Sequence, residues 1–566
     1  MRLMLLLLAR RGAGLVAPPT RRGITTARPA AAYDVIVIGG GHAGCEAATA
    51  AARAGARTAL VTQNADTVGE MSCNPSIGGI GKGHLVKEVD ALGGVMGRGI
   101  DWAGIHFRML NRRKGPAVWG PRAQADRDLY KDWMQHELSD YPNLEVVEAS
   151  AEDVLFDNEE VRAVQTSAGE LETKAAVITT GTFLRGRIYV GSESFPAGRY
   201  VRDDPYTATT EPPSSGLAKT LEVDLALPLS RLKTGTPPRL DGRTIDWEKC
   251  VEQPSEEAQP FSYFNEQRKD RKTVKCFRTA TNQQTHDIVR EYVHTLAPTT
   301  TDGVGPRYCP SLHKKVERFS ERDSHVVWLE PEGLDTDLVY PNGLSGAWPK
   351  DVQEKIVRSI VGLEKAEIVQ PGYDVEYDFV DPRSLDHGLG VRNVVGLHLA
   401  GQICGTTGYE EAAALGIVAG ANAALSALDR ELPLEDRRRF VVGRDQGYIG
   451  VLVDDLVTRG TMEPYRMFTS RAEYRLHLRA DNADLRLTEK GAEYGLVEAG
   501  RLDKCLERTK LVEDGVQHLD SLRFAPEAWG AFFLEGAEAE RDAKRRPHKT
   551  ASELLAMPHA DFDKLK

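Results

Sequence analysis

Cysteine is scarce in this sequence, and its spacing excludes the commonest uses of clustered thiols. Seven cysteines occur in 566 residues, and no two of them form a C-x-x-C pair. Structural zinc sites and dithiol redox centres need such closely spaced pairs. We therefore expect no metal site, and reduced thiols in an intracellular compartment.

The sequence also lacks an excess of basic residues and a long apolar run near its start. Lysine and arginine number 72 against 83 acidic residues, a formal net charge of −11, so a nucleic acid would have to bind through local patches. The apolar run over residues 3–9 is far too short to span a membrane. The length suggests about three or four domains.

Acidic residues are absent before Asp34, whereas six arginines occur there. An arginine-rich, acid-free leader is typical of a mitochondrial transit peptide, which we place at residues 1–32 and leave out of the fold. A secretory signal is the alternative, because leucines at positions 5–8 begin an apolar core; Arg10 and Arg11 end that core early. The leader predicts a mitochondrial location.

A glycine-rich turn follows the first apolar strand, residues 34–38. The turn has the G-x-G-x-x-G pattern and comprises Gly39, Gly40, Gly41, His42, Ala43 and Gly44. An alanine-rich helix over 45–54 and a second strand over 57–61 complete a βαβ unit, the arrangement that binds a dinucleotide pyrophosphate. The second strand lacks the usual ribose-binding acid at its end, which weakens a simple NAD assignment.

Two later segments favour FAD as the bound nucleotide. Residues 176–182 are predicted to form a buried strand that ends in a turn of small residues, and residues 394–401 are predicted to form another apolar strand before Gln402. A helix is predicted over 410–424. Both segments resemble elements of two-domain flavoproteins, in which a strand end and a helix start meet the flavin.

These patterns predict an α/β protein with a discontinuous FAD/NAD(P)-binding Rossmann-type domain at 33–235 and 320–445. An inserted α/β domain is expected at 236–319, and a polar, helical C-terminal domain at 446–566.

Five longer blocks are similar to the motifs of one enzyme family. They read MSCNPSIGGIGKGHLVKE at 71–88, RLKTGTPPR at 231–239, GPRYCPS at 305–311, GQICGTTGYEE at 401–411 and EPYRMFTSRAEYR at 463–475. On these blocks the chain resembles the MnmG/GidA family over about residues 33–500, and with its leader it resembles the mitochondrial branch. The match fades after about residue 530, which puts partner binding by the C-terminal helices in doubt.

The resemblance implies a glutathione-reductase-like fold and an enzyme that modifies the 5-carbon of the wobble uridine of tRNA. It implies FAD, NADH or NADPH as reductant, methylene-tetrahydrofolate as carbon donor, a partner GTPase of the MnmE type and a homodimer. In mitochondria the added group is expected to be taurinomethyl, with carboxymethylaminomethyl as the alternative. Ala151 and Ser214 join the glycine turn and Gln402 in the expected cofactor-binding set.

Cys73 and Cys309 match the two cysteines that this family uses. A thiolate that adds to the uridine 6-carbon makes the 5-carbon nucleophilic, which is covalent catalysis. Each cysteine is also compatible with a buried, structural role. The loop over 78–83 carries four glycines and Lys82, a composition that suits a phosphate or a flexible approach to the flavin.

Arginine alternates with aromatic residues between positions 459 and 479. Arg471 and Arg475 are expected to share a helical face, and with Arg466 they form the predicted RNA-binding set. Arg231, Lys233 and Arg239 form a second candidate patch. A salt-bridged surface with the acidic residues of the same segment is the alternative for the set between 459 and 479.

Two other functions remain open at the level of sequence. A folate- and FAD-dependent tRNA uridine methyltransferase shares part of the 71–88 block but lacks the segment around Arg466. A non-catalytic RNA-binding flavoprotein is the alternative of another class. A disulfide reductase is disfavoured, because the required cysteine pair is missing.

Overall fold

Short apolar runs form a parallel sheet at the centre of the first of two compact units. The computed structural model describes residues 24–25, 32–200, 210–264, 271–296, 305, 310–525 and 548–557. The units are Met1–Glu498 and Ala499–Lys566, and each is described by itself. In the parallel part of the sheet the strands run in the order Ile24–Thr25, Leu144–Glu148, Thr58–Thr62, Tyr33–Ile38, Gly169–Ile178 and Leu397–Leu399.

The strand Tyr33–Ile38 is almost completely buried, as expected of a parallel strand covered on both faces. The edge strand Ile24–Thr25 belongs to the leader that we leave out of the fold, yet its backbone pairs with Val146 and Val147. On the other side of the sheet, the first half of Gly169–Ile178 pairs in antiparallel fashion with Glu160–Thr166, which pairs in turn with Ala151–Asp157.

The described α-helices are α1 His42–Arg53, α2 Lys82–Ala91, α3 Met96–Ala103, α4 Arg127–Ser139, α5 Gly216–Lys219, α6 Gln283–Glu291, α7 Leu312–Arg318, α8 Lys350–Arg358, α9 Tyr409–Leu428, α10 Tyr448–Asp454, α11 Ala483–Glu493, α12 Ala499–Ser521 and α13 Ala551–Leu555. The helix predicted after the glycine turn is confirmed as α1, although it begins three residues earlier, at His42.

Helices α1 and α9 pack against each other through very small residues. A Cβ atom on Gly416 would lie 2.3 Å from the carbonyl oxygen of Ala43, and one on Gly420 would lie 2.2 Å from that of Ala47. The two helices therefore approach at a distance that larger side chains would prevent. This contact buries α9 and joins the start of the chain to its later part.

Helix α9 has the length and hydropathy of a membrane-crossing helix. It is the one such helix among the residues that the structure describes, and 83% of its apolar window is buried inside the protein. A helix buried in the core of a globular protein can have the same length and hydropathy as a membrane-crossing helix.

The first unit contains three further sheets of three or more strands and a two-stranded pair, Arg199–Tyr200 with Thr210–Glu211. A six-stranded antiparallel sheet has the order Val251–Gln253, Cys276–Ala280, Val326–Pro331, Leu338–Asn342, Arg239–Asp241 and Ile368–Gln370. A four-stranded sheet has the order Glu193–Pro196, Arg187–Val190, Tyr373–Val380 and Leu229–Thr236. A three-stranded sheet has the order Ser76–Gly78, Gly120–Ala125 and Gly104–Leu110.

A second hydrophobic core lies on the six-stranded sheet. Its buried residues run from Leu240 to Ala366, so they extend on both sides of position 320, where the sequence places the end of an inserted domain. Strands after that position pair with strands before it, for example Val326–Pro331 with Cys276–Ala280.

The unit Ala499–Lys566 contains the long helix α12, the short helix α13 and a pair of two-residue strands, Arg523–Phe524 and Lys549–Thr550. The mixed α/β fold with a helical C-terminal region agrees with the predicted fold class.

Candidate active site in a glycine-lined cleft

A cleft of about 700 Å³ opens at the carboxyl ends of the central parallel strands. Ligands of open α/β sheets bind at this edge, where the strand ends and helix starts meet. The cleft brings together most of the residues predicted from sequence, namely Gly39, Gly40, Gly41, His42, Ala43, Cys73, Ala151, Ser214, Gln402 and Arg466.

The glycine turn has the steric properties that a pyrophosphate site requires. Gly39 has a φ of +110°, a conformation that L side chains rarely adopt. A Cβ on Gly44 would lie 1.7 Å from the carbonyl oxygen of Gly39, so this glycine allows α1 to pack directly on the turn. A Cβ on Gly41 would meet nothing within 4 Å, because this residue faces the cleft.

Two neutral side chains in the cleft fit a bound dinucleotide, and neither belongs to the cofactor-binding set predicted from sequence. Gln63 Oε1 and Thr180 Oγ1 are buried atoms that have no hydrogen-bond partner among the described residues. Gln63 follows the second strand, where the ribose-binding acid of NAD sites usually lies. Its position directly after that strand is the signal from which it could have been found.

His42 lies at the start of α1 and is uncharged at neutral pH. Burial lowers the pKa of its imidazole to about 4. The ring centroid lies 4.4 Å from that of Tyr409, at the start of α9. A neutral ring leaves the helix N-terminus as the source of positive potential at this end of the cleft.

Cys73 lies on the cleft wall, and its backbone is held on both sides. Its N–H donates to the hydroxyl oxygen of Tyr409 at 2.7 Å, and its carbonyl accepts hydrogen bonds from the guanidinium groups of Arg127 and Arg239. Its sulfur lies 3.1 Å from the Tyr340 hydroxyl. The thiol is partly exposed to the cleft.

Buried charges hold the two arginines in place. Glu332 is 3.0 Å from Arg127 and 2.9 Å from Arg239, and all three side chains are nearly inaccessible to solvent. Sequence reasoning missed this arrangement. Arg239 lies in the motif at 231–239, but Arg127 and Glu332 carry no local signal.

The glycine loop over 78–83 is tied to α9 by charge. Lys82 contacts Glu410 and Glu411 at 2.9 and 2.6 Å, and the Gly78 N–H donates to Glu410 at 2.7 Å. Burial opposes ionisation of Glu410, but Lys82 holds its pKa below the ordinary value. The Met467 N–H donates to Glu411, so the same cluster fixes the segment that carries Arg466.

Cys309 lies outside the described residues, so its role stays a prediction. Pro310, the next residue in the chain, lines the cleft together with Lys315. Three other cysteines are buried, namely Cys45, Cys276 and Cys404, and burial raises the pKa of each thiol. Such thiols are poor nucleophiles.

The predicted RNA-binding arginines occupy different environments. Arg466 lines the cleft, Arg471 lies 4.0 Å from the ring centroid of Tyr465, and Arg475 is exposed. The expectation that Arg471 and Arg475 share a helical face is wrong, because residues 473–477 form turns. Ala472 and Leu478 pack into the core on either side of these turns, and a four-residue spacing of arginines does not by itself sustain a helix.

The second candidate patch is neutralised by buried carboxylates. Arg231 lies 2.6 Å from Asp378, and Lys233 lies 2.8 Å from Asp374. Both acids lie on the strand Tyr373–Val380, which pairs with the strand that carries the two cations. Arg239, the third member of the patch, is buried and lies 2.9 Å from Glu332, so these contacts argue against a free cationic surface.

Within the described part of the chain, no group of three or more histidine, cysteine or acidic side chains has a geometry suited to a metal ion.

The parallel sheet, the glycine turn and the cleft at its edge define an FAD-binding Rossmann-type flavoprotein. The family model described as "Glucose inhibited division protein A" matches residues 34–431. The chain therefore belongs to the GidA family, also called MnmG, whose members are FAD-dependent tRNA-modifying flavoproteins.

Solved structures of GidA from Aquifex aeolicus are similar to this chain. The form II crystal structure has 42% sequence identity and a TM-score of 0.85, and the match covers 95% of this chain and 84% of that one. The form I structure has 45% identity and a TM-score of 0.82, and covers 88% and 83%. The family predicted from the sequence blocks is confirmed.

Proposed function

We propose that this protein modifies the 5-carbon of the wobble uridine of mitochondrial tRNAs, adding a taurinomethyl or carboxymethylaminomethyl group. The observation that supports this proposal most strongly is the position of Cys73. Its partly exposed thiol lies on the wall of the same cleft that the glycine turn lines.

FAD would be held by the turn at residues 39–44, by Gln63 and Thr180, and by Ala151, Ser214 and Gln402, which also line the cleft. When bound, this group supplies two-electron redox chemistry. The residues of the chain provide backbone approach at Gly41, unpaired acceptors at Gln63 and Thr180, and a neutral His42 beside the helix N-terminus.

Cys73 would act as the nucleophile toward the uracil ring. The thiol loses its proton to solvent, and a sulfur–carbon bond forms at the 6-carbon while the ring double bond shifts its electron pair toward the 4-oxygen. The resulting enolate makes the 5-carbon nucleophilic. After the 5-carbon has gained its substituent, it loses its proton, and the re-formed double bond expels the thiolate. Cys309 would be the second thiol, which carries or releases the one-carbon unit.

The tRNA would approach the open side of the cleft along the segment over 459–479. Arg459, Tyr474 and Arg475 are exposed there, and Arg466 lies on the cleft wall. Arginine next to aromatic rings suits phosphate contact combined with base stacking. Because Arg231 and Lys233 are paired with carboxylates, we give them a smaller part in this contact.

The remaining parts of the proposal rest on the family resemblance and on the leader. They are a reduced nicotinamide as reductant, methylene-tetrahydrofolate as carbon donor, a partner GTPase of the MnmE type, a homodimeric assembly and a mitochondrial location.

Mass spectrometry of wobble nucleosides tests the function directly. Mitochondrial tRNA from cells that lack the protein should lose the 5-aminomethyl-type nucleoside, and the wild-type chain should restore it while a Cys73→Ser chain should not. Loss of 5-methyluridine instead would indicate the methyltransferase alternative. Unchanged nucleosides together with retained tRNA binding would indicate a non-catalytic flavoprotein.

A further inference from the structure

Among the described residues, the Cys73 thiol has one side-chain hydrogen-bond partner, a tyrosine hydroxyl. Cys73 Sγ and Tyr340 Oη are 3.1 Å apart, within hydrogen-bond range for sulfur. The Tyr409 hydroxyl also lies close to Cys73, but its oxygen accepts a hydrogen bond from the Cys73 backbone N–H and does not contact the sulfur through a hydrogen bond. The two residues lie 267 positions apart in the sequence, so only the fold brings them together.

Tyr340 is held rigidly in this position. It lies in the strand Leu338–Asn342, which pairs with neighbouring strands on both sides, and its side chain is 3% exposed. The guanidinium carbon of Arg239 lies 4.9 Å from the centroid of its ring. The same guanidinium donates to the Cys73 carbonyl, so one buried cation orders both partners.

We propose that Tyr340 is a positioning residue that donates a hydrogen bond to the Cys73 thiolate and thereby favours that form. In the neutral thiol either group can donate, but a thiolate only accepts, and a charged acceptor makes the stronger hydrogen bond. The thiol proton leaves to solvent in the cleft, and Tyr340 keeps its own proton. The nearby Arg239 cation, which donates to the Cys73 carbonyl, further favours negative charge on the Cys73 sulfur.

The other titratable and charged groups around the thiol come from several elements. They are Arg127 at the start of α4, Arg239 and Glu332 on or beside the six-stranded sheet, Tyr373 on the four-stranded sheet, and Tyr409 at the start of α9. Both arginines bind the backbone carbonyl of Cys73, so they contribute fixed positive charge while Tyr340 supplies the contact to sulfur.

The inference rests on the proposed role of Cys73, but its test does not need tRNA modification. The flavin-loaded protein is treated with iodoacetamide from about pH 5 to about pH 10, the range in which thiols titrate, and alkylation of the Cys73 peptide is measured by mass spectrometry. In Tyr340→Phe the midpoint of Cys73 alkylation should rise by about one pH unit, which is about tenfold less thiolate below the midpoint.

Two controls separate this effect from a general loss of structure. Cys250, a partly exposed thiol beside Asp246, serves as the internal reference and should titrate as in wild type. Tyr33→Phe removes a different hydroxyl, one that bonds Glu145 outside the cleft, and should leave the Cys73 midpoint unchanged.

A ring-fluorinated tyrosine at position 340 provides the opposing test. Its more acidic hydroxyl is a stronger donor, so the Cys73 midpoint should move down, an effect that a purely structural role of the ring would not produce. The proposal is overturned if Tyr340→Phe melts as wild type with an unmoved midpoint, or if fluorination leaves the midpoint where it was.

The wobble-nucleoside assay distinguishes the two proposals. If both are correct, Tyr340→Phe regains activity as the pH rises, whereas Cys73→Ser stays inactive at every pH. If Cys73→Ser modifies tRNA normally, the proposed nucleophilic role of Cys73 is wrong. The pH midpoint of Cys73 alkylation in Tyr340→Phe then still shows whether Tyr340 favours the thiolate.

Discussion

Lys82 forms a buried ion pair with Glu410, with 2.9 Å between Nζ and Oε2. The pair joins the glycine loop to α9, and Glu411 completes it at 2.6 Å. The loop composition suggested a cation available to a phosphate. In the structure this cation neutralises two carboxylates whose side chains are almost inaccessible to solvent. It therefore also fixes the position of the glycine loop against α9 at the cleft.

Replacing Lys82 by methionine should destabilise the protein strongly. The change leaves Glu410 and Glu411 buried without their cation, and breaking such a pair costs on the order of 3 kcal/mol or more. Chemical unfolding measures the loss. Lys174→Met is the matched control, because Lys174 pairs with Asp34 while half exposed, and it should cost less than about 1 kcal/mol. Equal stability of the two variants would contradict the structural role of Lys82.

Gly41→Val should abolish flavin binding without unfolding the protein. A Cβ at position 41 meets nothing within 4 Å, but it occupies the space through which the backbone approaches a pyrophosphate. Flavin absorbance of the purified protein and its melting temperature are the measurements. Gly44→Ala should behave differently, because its methyl group would clash with the Gly39 carbonyl oxygen and lower the stability itself. A yellow, fully loaded Gly41→Val protein would show that the pyrophosphate binds elsewhere.

Stability should fall as the pH is lowered from about 6.5 toward 4. Burial lowers the pKa of His42, His84 and His313 from 6.5 to about 4 each. The unfolded chain therefore binds protons before the folded one, and stability that is complete above pH 6.5 is lost as the pH falls through this window.

His84→Phe isolates one of these groups. His84 lies in the first turn of α2, with its ring 4.8 Å from that of Tyr448, and a phenyl ring preserves the aromatic contact. Removing one titrating group should flatten the pH dependence of the unfolding free energy by up to about 1.4 kcal/mol per pH unit within the window. A slope identical to wild type would show that this histidine is not held neutral.

Cys73→Ser and Cys309→Ser should each retain FAD and lose most of the modified nucleoside. Serine is nearly isosteric, but its hydroxyl is too weak an acid to supply the nucleophile. Cys276→Ser is the control, because burial raises the pKa of that thiol to about 12 and the residue packs inside the six-stranded sheet. It should lose stability and keep activity per folded molecule. Near-normal product from both Cys73→Ser and Cys309→Ser would exclude a catalytic role for either thiol.

Deletion of residues 2–28 should leave the protein in the cytosol. The deleted segment carries all six arginines that precede Asp34, the feature on which a transit peptide depends. Fluorescence of a C-terminal fusion, compared with a mitochondrial marker, measures the location. Undiminished mitochondrial import of the shortened chain would show that the mitochondrial targeting signal lies outside residues 2–28.

Local sequence pattern was sufficient to predict those elements whose steric requirements involve only neighbouring residues. The glycine turn and the alanine-rich helix were predictable because tight backbone approach allows only small residues at defined spacings. The α9 helix was predictable from its apolar run and was found at Tyr409–Leu428. The helical face of Arg471 and Arg475 was predicted wrongly, since a four-residue spacing of two arginines does not by itself determine a helix.

The sequence by itself determined the fold class, the dinucleotide turn and the family, because each is encoded in contiguous residues with strict steric requirements. Only the tertiary structure decided the surroundings of Cys73. Arg127, Arg239, Tyr340 and Tyr409 come from four separate elements, and none of them is near Cys73 in the chain. Tertiary contacts likewise determined that Lys233 is paired and Arg475 exposed, because burial and charge pairing depend on which strands become neighbours when the chain folds.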